Sequence, residues 1–256
     1  MNNPYIRNPQ LAGEEFFWLG NQTGVVLIHG FTATTAEVRL AAELLHQDEY
    51  TTAGPLLPGH GTHPKDLNRT TWQMWLEKVK EIYEKTLHHC ENVFVIGESM
   101  GALLAIELAA QHPEVAGLML FSPALKAKNL WLARFLSPFK AYLEKSNKDD
   151  GLAWKGYTVY PLKASVELLK LQNHTRKQLN RIEQPTLIVT GDLDKTIATN
   201  SAEIILDGIQ SKFKQHIQMN ESTHCVLLDK ELGLAYRYVT AFMSDPTLTG
   251  HPNIDC

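Results

Sequence analysis

Val93-Phe94-Val95-Ile96-Gly97-Glu98-Ser99-Met100-Gly101-Ala102-Leu103-Leu104 is the stretch that decides the fold. Four apolar residues in succession predict a strand covered on both faces, and from Met100 the apolar positions Leu103, Leu104 and Leu108 recur at helical spacing. Between them stands Gly-x-Ser-x-Gly. A strand that turns into a helix this tightly leaves no room for bulk beside the serine, so Gly97 and Gly101 read as steric necessities and Ser99 as an exposed nucleophile. Ser99 also opens a helix, where unpaired N–H groups and the helix dipole favour developing negative charge. A nucleophile in that position calls for a base, an acid to orient the base, and oxyanion donors from elsewhere in the chain.

Working outward toward the N-terminus, Val25-Val26-Leu27-Ile28 predicts a second buried strand running directly into His29-Gly30-Phe31, with residues 16–19 as an edge strand. Thr34 and Glu37 stand in capping-box spacing before a helix through Val38, Ala41 and Leu45, and Thr70 and Gln73 do the same before a helix carrying Trp72, Trp75, Val79 and Ile82. Residues 50–53 predict a strand, and the breaker-rich 54–61 a surface loop. Toward the C-terminus, residues 115–121 form another apolar run. The alternation of strand and helix predicts a mostly parallel sheet with helices on both faces, an α/β class.

From 124 to 183 the alternation stops. Leu132, Phe135, Leu136, Phe139 and Leu143, and later Leu162, Val166 and Leu169, fall at helical spacing with no convincing buried strand between them. An apolar helical excursion from the carboxyl edge of the sheet is expected to lie over the site as a cap. Alternation resumes with strand 186–190, the turn Gly191-Asp192-Leu193-Asp194, a helix through Ala202, Ile205 and Ile209, a short strand 216–219, Glu221-Ser222-Thr223-His224, and a last helix over 230–243. This is read as a single domain, with a core of about 14–123 and 184–245 and a cap insertion of about 124–183.

The 256 residues are 44% hydrophobic and 20% charged, enough to build a sizeable core. A net charge of −4 gives no electrostatic reason to expect nucleic acid or an anionic membrane as partner. Three cysteines, Cys90, Cys225 and Cys256, form no Cys-x-x-Cys pair, so a disulfide framework and a zinc knuckle are unsupported and a reducing, cytoplasmic setting is expected. No run reaches membrane-spanning length, and the Asn-x-Ser/Thr triplets at Asn21, Asn68, Asn173 and Asn220 read as chance matches. A small neutral substrate fits this balance, taken up by a monomer or homodimer without cofactor, metal or stable membrane insertion.

Ser99, Asp194 and His224 follow one another in the order Ser, Asp, His, each at a strand end. In this reading His224 is the base, Asp194 orients it, and the backbone N–H groups of Phe31 and Met100 hold the oxyanion. The chain resembles the α/β-hydrolase superfamily, and within it the bacterial carboxylesterase and monoacylglycerol-lipase branch. The resemblance rests on His29-Gly30-Phe31-Thr32, Gly59-His60-Gly61, Gly97-Glu98-Ser99-Met100-Gly101, Gly191-Asp192-Leu193-Asp194 and Ser222-Thr223-His224 with Asp229. It implies hydrolysis of short-to-medium acyl esters or monoacylglycerols beneath a mobile cap. Ala102 departs from it, standing where many relatives carry a second glycine.

Plainer readings stand beside these. Asp192 competes with Asp194, because either could satisfy local turn amides. His29 reads as structural, supporting the oxyanion loop through a side-chain hydrogen bond. His60, His63 and Asp66 lack the pattern of a metal site. Cys225 reads as an inert thiol, and Glu98 has no assignable role. Trp131, Phe135 and Phe139 are expected either in the cap's own core or in the acyl pocket. The same triad would serve an acyl-thioesterase or acyltransferase, and a non-catalytic binding module on this scaffold is the reading from another class.

Overall fold

Side chains alternate across a strand, so an apolar run is buried throughout only if both faces of the sheet are covered. In the computed structural model, which describes residues 3–145 and 151–245, this is what happens. The sheet strands are β1 (Phe16–Trp18), β2 (Thr23–Ile28), β3 (Thr51–Gly54), β4 (Asn92–Glu98), β5 (Gly117–Phe121), β6 (Thr186–Gly191) and β7 (Lys214–Met219). The longer helices are α1 (Ala36–Gln47), α2 (Trp72–Leu87), α3 (Met100–Ala109), α4 (Leu162–Gln178), α5 (Ser201–Gly208) and α6 (Leu232–Met243). Val26, Ile28, Val95, Leu118 and Leu120 join one core with residues of α2, α3 and α4. The alternate residues Val25, Leu27, Phe94, Ile96, Met119 and Phe121 join a second core with residues of α1 and α6.

The strand order is β7-β6-β5-β4-β2-β3-β1, parallel throughout except for the edge strand β1. From β2 the chain runs outward to β3, then returns to the other side of β2 as β4 and continues outward through β5, β6 and β7. The order therefore reverses between β2 and β4, and a crevice opens at their carboxyl ends because the loops leave in opposite directions. Phe31 follows β2 and Ser99 follows β4, so both predicted donors and the nucleophile stand at that crevice.

Neither capping box forms. Thr34 Oγ1 donates to the Lys155 carbonyl at 3.0 Å, and Glu37 turns inward to accept from the Gly30 amide. Thr70 Oγ1 donates to the Leu67 carbonyl and accepts from Trp75 Nε1 at 2.9 Å. A tertiary partner has displaced the cap at Thr34, and other neighbours in the adjoining turns have displaced it at Thr70. The first amide of α2 instead meets Glu167 of α4, with Trp72 N 3.4 Å from Oε2.

The expectation of helix alone between 124 and 183 is corrected. Two 3-10 turns, Ala124–Lys126 and Leu130–Leu132, lead to a single helical turn, Ala133–Leu136. Pro138 then bars a longer helix, since it lacks the N–H and would clash one turn back. Leu143, read as part of a helical stripe, lies instead in a strand, Tyr142–Glu144, antiparallel to Val159–Pro161. Gly156–Tyr157 pairs with Ile6–Arg7, so the chain before residue 14 is tied to this segment. Residues 146–150 of the expected insertion lie outside the described residues, as does Cys256.

Helix α4 anchors the segment to the nucleophile helix. The buried Glu107 carboxylate on α3 meets His174 Nδ1 at 2.9 Å and accepts from Thr175 Oγ1 at 2.7 Å, and the His174 ring lies on Trp72 with centroids 4.8 Å apart. Gln172 Nε2 donates to the Ala124 carbonyl at 2.6 Å and Arg176 to the Leu125 carbonyl. Where the segment leaves β5, it is thus latched by side chains from its own far end.

Candidate active site

The turn at Ser99 is strained in the way the motif requires. Ser99 adopts φ 57° and ψ −111°, and its amide donates to the Phe121 carbonyl of β5 at 2.8 Å. A Cβ on Gly97 would lie 2.4 Å from the Gly101 carbonyl, and one on Gly101 would lie 2.1 Å from the Ile28 carbonyl oxygen. No real side chain tolerates either distance, so α3 crosses directly over β2 and β4. Ala102, the departure from the family pattern, is fully buried in the core.

Two loops bring the other groups to Ser99. A Cβ on Gly191 would sit 2.3 Å from the Ser222 and Thr223 carbonyls, so the turn after β6 presses directly on the turn after β7. Asp229 holds the second turn by accepting from Thr223 N at 2.7 Å and Thr223 Oγ1 at 2.6 Å, and Glu231 accepts from Ser222 Oγ at 2.7 Å. His224 then stands with Nε2 2.9 Å from Ser99 Oγ and Nδ1 2.7 Å from Asp194 Oδ2. Asp194 Oδ1 accepts from Thr196 N at 2.6 Å and Ile197 N at 3.2 Å. Burial works against ionisation of this carboxyl, but the hydrogen bond and charge of His224, with the two amides, outweigh it and hold the pKa below the usual value. With Asp194 ionised, Nδ1 of His224 carries the proton and Nε2 offers its lone pair to the Ser99 hydroxyl. Of the two competing aspartates, Asp194 is the one hydrogen-bonded to His224, and Asp192 is exposed.

Phe31 and Met100 flank the serine. Met100 is the first residue of α3, and its N–H has no acceptor within the helix. The Phe31 amide is aimed from behind by His29, whose Nδ1 donates to the Gly30 carbonyl at 2.9 Å while Nε2 accepts from Leu57 N at 3.2 Å. The peptide is planar and trans, so fixing the Gly30 carbonyl on one side fixes the Phe31 N–H on the other. Both bonds require a neutral imidazole. Burial supplies it, lowering the His29 pKa to about 4 against the opposing Gly30 bond. His60 packs edge-on against His29 at 4.9 Å, and burial, reinforced by His29, holds it well below the usual histidine value. Of its companions in the discounted metal set, His63 caps a helical turn by accepting from Lys65 N and Asp66 accepts from Thr62 Oγ1.

Two buried glutamates lie behind this loop: Glu37, whose spacing in the sequence predicts a capping box, and Glu98, to which the sequence assigns no role. Glu37 accepts from the Gly30 amide and from Cys225 Sγ at 3.5 Å, linking the oxyanion loop to the residue after His224. Glu98 is completely buried, and neither carboxyl oxygen makes a well-formed hydrogen bond among the described residues, although the Val226 and Leu227 amides lie close enough to favour its ionised form. Burial, reinforced by the neighbouring Glu37, pushes the Glu98 pKa well above the usual carboxylate range, and burial also raises Glu37. No local signal could have paired residues this far apart in the chain.

A cavity of about 900 Å³ opens over Ser99 and His224. Leu130, Leu132, Leu162, Leu168 and Ile197 form an apolar wall; Thr32, Lys145, Trp154, Thr158 and Tyr160 form a polar one. Lys145 donates to Thr32 Oγ1 at 2.5 Å and lies over the Trp154 and Tyr160 rings. Trp131, Phe135 and Phe139 are neither cap core nor pocket lining. They point outward, with Leu130, Leu132 and Ala133 taking the inner side.

A strand-turn-helix serine facing a histidine and an aspartate from later strand ends, on this strand order, defines an α/β hydrolase. A family model described as "Serine aminopeptidase, S33" matches residues 21–153, and the chain belongs to that family of α/β hydrolases. It is 34% identical over 230 residues to a thermostable monoacylglycerol lipase of Bacillus sp. (strain H-257), covering 86% of this chain and 90% of that protein. A carboxylesterase of Bacillus subtilis (strain 168) is 29% identical, with 89% and 95% covered. Among solved structures, one from work on LipS and LipT, two metagenome-derived lipolytic enzymes, superposes with TM-score 0.85 at 30% identity, covering 90% of this chain and 97% of the other.

Proposed function

We propose that the chain is a serine hydrolase cleaving carboxylic esters, of the short-to-medium acyl or monoacylglycerol kind, through an acyl-enzyme on Ser99. The observation that carries the reading is the continuous hydrogen-bonded line from Ser99 Oγ through His224 to Asp194, opening into a cavity with an apolar and a polar wall. As Ser99 Oγ bonds to the ester carbonyl carbon, its proton passes to His224 Nε2, and Asp194 stabilises the imidazolium. The carbonyl oxygen, now an oxyanion, takes hydrogen bonds from the Phe31 and Met100 amides. Each such donor contributes roughly 2.7–4 kcal/mol to the transition state, so orientation of the Gly30–Phe31 peptide by His29 matters to the rate. The carbon–alcohol bond then breaks, and His224 returns the proton to the leaving alkoxide. Water attacks the acyl-enzyme by the same route in reverse, freeing the acid and restoring the Ser99 hydroxyl.

The acyl chain is assigned to the wall of Leu130, Leu132, Leu162, Leu168 and Ile197, and the alcohol to the wall of Thr32, Thr158 and Tyr160. Residues 124–183 act in this reading as the cap over a single core domain. The sparse cysteines fit a reducing, cytoplasmic setting; no helix among the described residues is long and apolar enough to cross a membrane. A fluorophosphonate should label the parent and not Ser99→Ala, and p-nitrophenyl esters of rising chain length should show an optimum set by the apolar wall. A preference for acyl-CoA over every oxygen ester would replace the reading with a thioesterase. Folded protein that resists labelling would leave a binding module.

A further inference from the structure

Between Glu114 and Glu144 the chain carries four cations, Lys126, Lys128, Arg134 and Lys140, and no acidic residue. All four are exposed. The net charge of −4 averages over this stretch and conceals it. The same stretch leaves Trp131 55%, Phe135 64% and Phe139 87% exposed, with the Trp131 and Phe135 rings edge to face at 5.9 Å. Single exposed apolar residues are ordinary, but three aromatics within nine positions make a patch that calls for a partner. Their neighbours Leu130, Leu132 and Ala133 line the cavity that ends at Ser99. One short segment thus presents aromatics outward, cavity wall inward, and four exposed cations among them in sequence.

We infer that residues 126–140 dock the protein on an anionic lipid surface, with the aromatics in the headgroup layer and the cavity mouth facing the lipid. The four exposed cations select this occupant over a second copy of the chain. A two-fold interface would set the same patch against itself, bringing both sets of cations together. An anionic bilayer instead attracts each cation, takes aromatic side chains at its interface, and lets lysine stems lie along apolar surface with their heads in water. The helical turn Ala133–Leu136 is far too short to span, so the contact is a reversible adsorption. An ester with an apolar chain could then pass from lipid to the Leu130 and Leu132 wall without crossing bulk water. Only that last consequence rests on the proposed ester hydrolysis.

The test uses the full chain with phosphatidylglycerol vesicles and phosphatidylcholine vesicles, read by cosedimentation and tryptophan fluorescence. Binding is expected on phosphatidylglycerol only, weakened in about 1 M salt, where the screening length falls to about 3 Å. Phe135→Ser/Phe139→Ser and Arg134→Gln/Lys140→Gln, none of which lines the cavity, should each weaken binding by about tenfold or more. Turnover of a soluble short-chain ester should be unchanged in both, while hydrolysis of monoacylglycerol carried in phosphatidylglycerol vesicles falls by a similar factor. Equal binding to both vesicle types, retention by both variants, or a dimer that the Phe135→Ser/Phe139→Ser variant converts to monomer in sedimentation velocity would each overturn the docking. A parent inactive on every soluble ester would instead overturn the assigned reaction, leaving the vesicle-binding result to stand by itself.

Discussion

Glu98 precedes the nucleophile, and its carboxyl is buried without a well-formed hydrogen bond among the described residues, beside a second buried acid, Glu37. An acid whose pKa is raised on folding keeps a proton that the unfolded chain has released. Stability must therefore fall as pH rises, from the unfolded value of about 4.3 up to the folded value, and level off above it. One retained proton per molecule gives a slope of about 1.4 kcal/mol per pH unit. Glu98→Gln keeps the shape and removes the titration. The stability of the variant relative to the parent should therefore improve as pH rises between roughly pH 5 and pH 7, by at most about 2.7 kcal/mol, the limit for a single proton retained throughout. The offset between the two proteins reports how an amide fits, whereas the slope reports the protons retained by the Glu98–Glu37 pair, since removing one acid also relieves the other. Urea unfolding at several pH values, with m-values compared to exclude altered denatured states, measures it. A difference that stays flat across the range would refute the assignment of a neutral Glu98.

Asp194→Asn should lower kcat on a p-nitrophenyl ester by roughly 10³–10⁴-fold, because the wrong His224 tautomer is favoured, while Asp192→Asn stays close to the parent. Gly101→Ala places a methyl 2.1 Å from the Ile28 carbonyl oxygen, so its urea midpoint should drop by the equivalent of about 1–3 kcal/mol or more; an unshifted midpoint would contradict the tight crossing of α3 over β2. His29→Leu leaves the Gly30 carbonyl only the long hydrogen bond from the Ala33 amide at 3.4 Å and should lower kcat by on the order of 10–100-fold with KM nearly unchanged. That loss should be constant above roughly pH 5, since His29 is neutral there, and His29→Asn should recover part of it if its amide reaches the same carbonyl.

Much of the fold was readable because its signals are local. Apolar runs such as Val93 to Ile96 and Val25 to Ile28 report a sheet covered on both faces, and the glycines around Ser99 report a turn that sterics alone would demand. The Ser, Asp, His order along strand ends narrowed the constellation further. The reading failed where a local pattern met a distant competitor. Thr34 had the spacing of a capping box but spends its hydroxyl on the Lys155 carbonyl, and the helical stripe ending in Leu143 was broken by Pro138 and drawn into a strand by Val159–Pro161. The outward-facing aromatics Trp131, Phe135 and Phe139 failed for a related reason, since helical spacing defines a face without saying what lies against it.

By itself, then, the chain determined which elements form, in what order, and which chemical groups stand at their ends, because propensity, periodicity and turn sterics act over a few residues. Only the tertiary structure decided that Asp194 rather than Asp192 meets His224, that Glu37 holds the Gly30 amide, and that Glu98 lies buried beside it. Those outcomes depend on hydrogen-bond distances of about 3 Å and on exclusion of water, and both are set by atoms remote in sequence.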